Sequence, residues 1–197
     1  MQNNTKHYGI TGGIGSGKSM VCGLFSILGV PIFNADTEAK KLYHTDTELA
    51  NWVKQEFGAE VYVQNQFQPK VLASKVFGNP EALVALNAQV HPRIRQKAAE
   101  WRAGQVAPYT LTEAALMMES GSYLDYDAIV LVEAPLEIRL KRITQRDSVS
   151  EEQALQRLQA QWTDEQRRPL AHYVIVNNEQ QALIPQVMRL HAQWMMA

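Results

Sequence analysis

Short apolar runs alternate along this chain with segments in which apolar residues recur every three or four positions. The first run, His7–Thr11, predicts a β-strand. A helix is predicted after it, with apolar residues at helical spacing at Val21, Leu24, Phe25 and Leu28. Gly29 marks the end of that helix, and Val30–Phe33 predicts a second strand. Strands that alternate with helices are typical of a parallel sheet covered by helices.

Residues 37–105 follow a different pattern, because amphipathic helical faces dominate them. The two clearest faces consist of Leu49, Trp52, Val53 and Phe57, and of Leu83, Leu86 and Val90. Gly78-Asn79-Pro80 is a turn signal between the two faces, and His91-Pro92 predicts a second break or kink. We therefore expect a mainly helical insert at 37–105 within a core formed by 1–36 and 106–197.

Strand and helix signals alternate again after the insert. Tyr109–Glu113 and Ala128–Val132 predict strands, and Pro135 is placed to begin a helix, where its missing N–H costs nothing. One side of this helix is apolar, with Leu136, Leu140 and Ile143, and another is basic, with Arg139, Arg142 and Arg146. A polar helix is predicted from Ser150, as N-cap, to about Arg167. The last predicted elements are a strand at Tyr173–Val176 and a helix with Leu183, Val187, Leu190 and Trp194.

Composition narrows the class of protein without naming it. The 197 residues are 46% hydrophobic and 20% charged, with a formal net charge of −1, as in ordinary globular proteins. This charge balance does not favour nucleic-acid binding. The single cysteine, Cys22, cannot form an internal disulfide, and no stretch approaches 18 apolar residues. We expect a cytoplasmic protein that contacts neither membrane nor nucleic acid and acts as a monomer; assembly into oligomers is the open alternative.

The most informative motif is Gly12-Gly13-Ile14-Gly15-Ser16-Gly17-Lys18-Ser19, hereafter the P-loop, which matches G-x-x-x-x-G-K-[ST] between a predicted strand and helix. Glycines allow the backbone N–H groups to surround phosphate oxygens, and the helix adds the positive end of its dipole. Lys18 is expected to reach the β- and γ-phosphates of ATP, and Ser19 to bind Mg²⁺. The alternative interpretation is an ordinary glycine-rich turn with an exposed lysine.

Several charged residues are candidates for the chemistry. Asp36 follows the second strand, at the sheet edge that carries the P-loop, where a carboxylate could accept a proton from an acceptor hydroxyl; it could instead cap the next helix. Arg139, Arg142 and Arg146 could bind phosphates or lie on a solvated helix face, and Arg146 adjoins a predicted mobile lid at about 146–168. Glu113 could hold Mg²⁺ through water or pair with a lid arginine. Arg167 and Arg168 are weaker candidates.

The reaction class follows from what accompanies the P-loop. The D-x-x-G and [NT]-K-x-D motifs of regulatory GTPases are missing from the sequence, and a helical insert after the second strand suits a kinase with an acceptor-binding lobe. Two alternatives remain open: another nucleotide or nucleoside kinase, and a protein that binds nucleotide without catalysis.

Segments along the whole chain resemble the dephospho-CoA kinase family. They are Thr11–Ser19, Asn34-Ala35-Asp36, Ala73–Pro80, His91-Pro92, Leu140-Lys141-Arg142 with Gln145-Arg146-Asp147, and Val174–Asn178. The resemblance implies an α/β fold with a P-loop NTPase-type parallel sheet flanked by helices, a helical CoA-binding insert and a helical lid. It also implies phosphorylation of the ribose 3′-hydroxyl of dephospho-CoA by MgATP, the last step of coenzyme A synthesis.

The resemblance also implies roles for individual residues. Asp36, Lys18 and Arg146 are the expected catalytic residues. The expected nucleotide-binding residues are Gly12, Gly13, Ile14, Gly15, Ser16, Gly17, Lys18, Ser19, Met20, Arg142 and Asn177. Ser19 is the expected metal ligand.

The chain departs from the family pattern at five places. They are Met20 for a common threonine, Asn34 for the first acid of Asp-Ala-Asp, Ala115–Glu119 for Pro-Leu-Leu-x-Glu, His172 for Asp and Glu179 for Gly. The metal hydroxyl of Ser19 is kept, and with Asn34 in place of the first acid only Asp36 can be the base.

Overall fold

The computed structural model describes residues 5–76 and 78–196. Phe77, which belongs to one of the resembling segments, lies outside the described residues. The strands are β1 (Lys6–Thr11), β2 (Ile32–Asn34), β3 (Tyr62–Val63), β4 (Gln66–Phe67), β5 (Tyr109–Glu113), β6 (Ala128–Glu133) and β7 (Tyr173–Val176). The helices are α1 (Lys18–Ile27), α2 (Ala35–Thr45), α3 (Thr47–Phe57), α4 (Pro69–Val76), α5 (Pro80–Ala103), α6 (Leu136–Asp147), α7 (Glu151–Gln159), α8 (Asp164–Arg167) and α9 (Leu183–Met195).

Two compact units make up the chain. One consists of Met1–Asn34 with Trp101–Ala197, and the other of Ala35–Glu100. In the part of the first unit that the structure describes, five parallel strands form a sheet in the order β2–β5–β1–β6–β7. Helices flank this sheet, so the predicted fold class is confirmed. Because the strands are parallel, their carboxyl ends meet at one edge, where Asn34 pairs in register with Glu113.

The core of the first unit lies between the sheet and helices α1 and α9. Every residue of β5 and β6 is buried, as expected for central strands of a parallel sheet. Trp194 of α9 stacks on Tyr8 with ring centroids 4.2 Å apart and on Phe25 at 5.6 Å. The apolar spacing that predicted α1 and α9 therefore marks the faces that pack on the sheet.

The second unit is mainly helical and has its own core. The buried residues that form this core are Leu42, Leu49, Val53, Phe57, Val61, Leu72, Leu86 and Val90. Asp46 caps α3 by accepting a bond from the Leu49 N–H at 2.9 Å, and Arg93 donates to the same carboxylate at 3.0 Å. The sequence predicted this helical region at 37–105, and the compact unit spans Ala35–Glu100. Its acceptor-binding role remains a prediction.

The structure corrects four local predictions. Helix α5 runs through Pro92 without the predicted break, because Leu86 and Val90 before the proline and Ala98 after it are all buried. Pro135 is the N-cap of α6 and not its first residue. The polar helix is two helices, because Thr163 forms a capping box that begins α8. The hairpin β3–β4, whose turn residues Gln64 and Asn65 have positive φ, was not predicted.

Candidate active site

The P-loop is a tight turn whose glycines are required by their backbone angles and by close neighbours. Gly12, Gly15 and Gly17 have φ of 149°, 80° and 95°, which side-chain-bearing residues rarely adopt. A Cβ on Gly12 would lie 2.3 Å from the Val132 carbonyl oxygen, and one on Gly17 would lie 2.1 Å from Asn177 Nδ2. The loop is therefore closely packed against the ends of β6 and β7, and it leads directly into α1.

Lys18 is almost fully buried beneath the P-loop. Its Nζ donates to the carbonyl oxygens of Gly12 at 2.8 Å and Gly13 at 3.3 Å. A cavity of about 560 Å³ adjoins it, lined by Gly15, Gly17, Lys18, Ser19, Arg142, Gln145 and Arg146. The loop, the lysine and two arginines thus line one cavity, which has the positive charge that phosphate binding requires.

Ser19, Glu113 and Asn34 form a hydrogen-bonded group at the carboxyl edge of the sheet. Ser19 Oγ donates to Glu113 Oε1 at 2.7 Å, and Asn34 Nδ2 donates to Glu113 Oε2 at 2.7 Å. Glu113 is only 5% exposed. A serine that donates its proton to a carboxylate still presents its oxygen lone pairs, so this oxygen-rich group fits a Mg²⁺ ion. Among the described residues, His, Cys, Asp and Glu form no cluster of three or more that could hold a metal.

Asp36 lies in the first turn of α2, two residues after Asn34 in the chain. Both interpretations of this residue, as a base for the acceptor and as a helix-starting acid, agree with that position. Its catalytic role therefore remains a prediction.

Arg142 and Asn177 contact the same part of the P-loop. Arg142 Nη1 donates to the carbonyl oxygens of Gly15 at 3.3 Å and Ser16 at 3.4 Å, and its Nη2 donates to Asn177 Oδ1 at 3.2 Å. Asn177 Nδ2 donates to the Ser16 carbonyl at 2.8 Å, and Glu179 accepts from Arg142 at 3.2 Å. The structure therefore brings together two residues that are far apart in sequence and were both expected at the nucleotide.

Arg146 lines the cavity beside Lys18, and its side chain is 61% exposed. It donates twice to the adjacent Asp147, at 2.8 and 3.0 Å, and Arg157 donates to the same carboxylate at 2.7 Å. The hydrogen bond from Arg146 is the main cause that lowers the pKa of Asp147, so this carboxylate keeps its charge. Arg146 is therefore at the cavity mouth with an anionic partner.

Arg139 does not lie on a solvated helix face, because it is buried. Its Nε donates to the Ile14 carbonyl at 3.0 Å, and its Nη1 lies 3.5 Å from Asp164 Oδ2. Burial lowers the pKa of Arg139 and the Asp164 charge opposes that shift. The residue supports the P-loop from behind instead of facing the cavity.

Sequence reasoning missed several contacts made by residues 161–168. Gln161 Oε1 accepts a hydrogen bond from the Ile14 N–H at 2.7 Å, and Arg168 pairs with Glu133 at the end of β6. Arg167 is completely buried and donates to Glu119 at 2.5 Å and to Asp164 at 3.3 Å. Asp164 is only three residues from Arg167, but Ile14, Glu133 and Glu119 lie dozens of residues from their partners, so no local pattern could have paired them.

Comparison with known proteins gives consistent matches. A family model described as dephospho-CoA kinase matches residues 7–182. A curated dephospho-CoA kinase of Bacteroides fragilis is 37% identical over 185 residues, which covers 93% of this chain and 90% of the relative.

Two solved structures extend these matches to the fold. One, from Thermus thermophilus, superposes with a TM-score of 0.84 at 33% identity, covering 98% of this chain and 97% of the other. A dephospho-CoA kinase from Campylobacter jejuni superposes with a TM-score of 0.68 at 27% identity, covering 95% and 96%.

Proposed function

The chain belongs to the dephospho-CoA kinase family, and from this premise we propose that it transfers the γ-phosphoryl group of ATP to the ribose 3′-hydroxyl of dephospho-CoA, with Asp36 as the base. The observation that carries the proposal is the bridge made by Glu113. This buried carboxylate joins Ser19 of the P-loop to Asn34 at the end of β2, and the chain continues from there to Asp36 two residues later. The alternative of a different P-loop nucleotide kinase is not favoured by a family match that spans residues 7–182.

On the donor side, the loop N–H groups and the Lys18 ammonium bind the β- and γ-phosphates. Lys18 already lies against the loop carbonyls, so its charge is in place before nucleotide arrives. Ser19 and Glu113 would hold Mg²⁺, which would neutralise phosphate charge. Arg142 and Asn177 bind at the Gly15–Ser16 turn, where they support the nucleotide side of the loop.

On the acceptor side, Asp36 orients the ribose hydroxyl and accepts its proton. Orientation matters as much as proton removal, because phosphoryl transfer has a loose transition state in which the attacking oxygen forms little bond. Arg146, at the mouth of the cavity, turns from Asp147 to the γ-phosphoryl oxygens when ATP binds. Of the predicted lid at about 146–168, residues 161–168 already contact the core, so this change is confined to the part before them. We assign acceptor binding to the helical unit Ala35–Glu100.

The working form of the protein is part of the proposal. We propose that it acts as a cytoplasmic monomer, with ATP and dephospho-CoA as its small-molecule partners. Over the residues that the structure describes, no helix has the length and apolar character needed to span a membrane.

The direct test incubates the purified protein with MgATP and dephospho-CoA and follows the acceptor by mass spectrometry. We expect dephospho-CoA to gain one phosphate and ATP to become ADP in equal amounts. AMP, a nucleoside and coenzyme A itself serve as comparison acceptors. Phosphorylation of AMP or the nucleoside in preference to dephospho-CoA would overturn the proposal, and so would ATP hydrolysis that dephospho-CoA does not change.

A further inference from the structure

The peptide groups on either side of Ile14, in the middle of the P-loop, are held by two side chains from distant parts of the chain. The Ile14 N–H donates to Gln161 Oε1 at 2.7 Å, and the Ile14 carbonyl accepts from Arg139 Nε at 3.0 Å. Gln161 lies between α7 and α8, whereas Arg139 lies on α6. Both backbone polar groups of this one residue are therefore satisfied by side chains and not by the loop itself.

The guanidinium of Arg139 also determines which residues the loop can contain. A Cβ on Gly13 would lie 1.9 Å from Arg139 Nη2, and a Cβ on Gly15 would lie 2.8 Å from the Arg139 carbonyl oxygen. The P-loop pattern allows any residue at positions 13 and 15. At position 13 it is the close approach of Arg139 that requires glycine, and at position 15 this contact adds to a φ of 80°.

Arg139 is itself fixed by a chain of charges, in which the two arginines are buried and the two carboxylates are partly buried. Asp164 lies between the guanidinium groups of Arg139 and Arg167, and Arg167 donates to Glu119. Burial raises the pKa of Asp164, and the two arginines oppose that shift. The support of Ile14 thus rests on alternating charges that hold one another in place.

We infer that Gln161 and Arg139 are positioning residues that keep the P-loop in its phosphate-binding conformation before ATP arrives. This inference rests on the proposed function only in taking ATP as the ligand. An acceptor lost at Ile14 leaves its N–H unsatisfied, so the loop spends part of its time in other conformations. The apparent dissociation constant for ATP then rises in inverse proportion to the competent fraction.

The test compares Gln161→Met with Gln159→Met by calorimetric titration of MgATP. Methionine keeps the length of the side chain but cannot accept the Ile14 hydrogen bond. Gln159, the last residue of α7, is exposed, and its side chain makes no hydrogen bond to the residues that the structure describes, so it is a matched control. We expect Gln161→Met to weaken ATP binding about tenfold, the effect of one lost hydrogen bond. Arg139→Lys, which cannot reach both Ile14 and Asp164, should weaken it similarly.

A second measurement does not depend on activity. Amide hydrogen exchange at Ile14 should be slow in the wild type and in Gln159→Met, and faster in Gln161→Met. A merely structural role would lower the titration stoichiometry, as folded protein is lost, and leave the dissociation constant unchanged. An unchanged dissociation constant with unchanged Ile14 exchange would overturn the inference. Failure of the proposed function is distinguishable, because wild type would then bind ATP without phosphorylating dephospho-CoA.

Discussion

The hydroxyl of Ser19 and the carboxylate of Glu113 are joined by a hydrogen bond of 2.7 Å between the P-loop and the end of β5. The other oxygen of the same carboxylate accepts from Asn34. Each oxygen of Glu113 thus accepts one of these two hydrogen bonds. This arrangement orients the lone pairs of the serine oxygen away from the carboxylate, as a metal ligand requires.

Replacing Glu113 by Gln should disrupt the pair of hydrogen bonds that Glu113 accepts from Ser19 and Asn34. An amide has one acceptor oxygen; if Asn34 keeps it, the amide N–H can only donate to Ser19, which then occupies a lone pair of the serine oxygen. The negative charge that favours Mg²⁺ is also removed. We expect turnover to fall by roughly 10–10²-fold, the range for changing a residue that is hydrogen-bonded to a metal ligand, and the Mg²⁺ concentration at half-maximal rate to rise. The measurement is a Mg²⁺ titration of the rate at saturating ATP. An unchanged Mg²⁺ requirement would show that Glu113 is only structural.

Asp36→Asn tests the proposed base. Asparagine keeps the size of the side chain but cannot accept a proton, so kcat should fall roughly 10²–10⁴-fold while ATP affinity changes little. Single-turnover conversion of dephospho-CoA is measured together with calorimetric ATP binding. Glu38→Gln is the control, since Glu38 is the other acid in the first turn of α2 and pairs with Lys41. Parallel loss of ATP binding and turnover would instead assign Asp36 to the metal or to the fold.

Arg146→Ala should lower kcat more than it raises KM for ATP, because the proposed contact strengthens in the transition state. We expect a loss in kcat of at least about tenfold, in line with one charged contact to the transferring group. Arg157→Ala, which removes the other partner of Asp147, is the control. If both variants lose activity equally, Arg146 acts through Asp147 and does not touch phosphate. A change in KM alone would restrict Arg146 to ground-state binding.

Asp46 should stabilise the helical unit in a pH-dependent way. Hydrogen bonds from the Leu49 N–H and from Arg93 lower its pKa below the usual 3.8. The contribution of Asp46 to the free energy of unfolding is therefore complete above pH 3.8 and is lost as the pH falls through the lowered pKa. We expect Asp46→Ala to reduce the free energy of unfolding by about 1 kcal/mol at pH 7, as loss of an N-cap does, and Asp46→Asn by less.

Urea unfolding of the three proteins at pH 7 and at pH 3 provides the measurement. The difference in unfolding free energy between wild type and Asp46→Asn should be smaller at pH 3, because the aspartate of the unfolded chain is largely protonated there and the asparagine does not titrate. If the difference in unfolding free energy between wild type and Asp46→Asn is the same at both pH values, the contribution of Asp46 does not come from its charge.

Local chemistry made much of this fold predictable. Ser150 begins α7 with a capping box, as its side chain and the acidic residues after it indicated. The apolar spacing of Val187, Leu190 and Trp194 predicted the buried face of α9. The P-loop was identified from its own residues, because its glycines and its lysine are consecutive in the chain.

The remaining features depend on contacts between distant segments. Whether Pro92 breaks a helix is decided by burial on both sides of it, which no local signal encodes. The burial of Arg139 has the same origin. Arg139 and Arg142 are both arginines and lie one turn apart on α6. Contacts with Asp164 and the Ile14 carbonyl place Arg139 behind the loop.

The contact of Gly13 with Arg139 has a consequence for chimeric kinases. A P-loop taken from another enzyme and carrying a side chain at position 13 would collide with the guanidinium, although it satisfies the consensus motif. Conversely, this loop grafted into a foreign scaffold would lose its support at the Ile14 carbonyl. A chimera should therefore take the P-loop and the first turn of α6 from the same enzyme. Chimeras that combine these two segments from different enzymes should be mostly inactive.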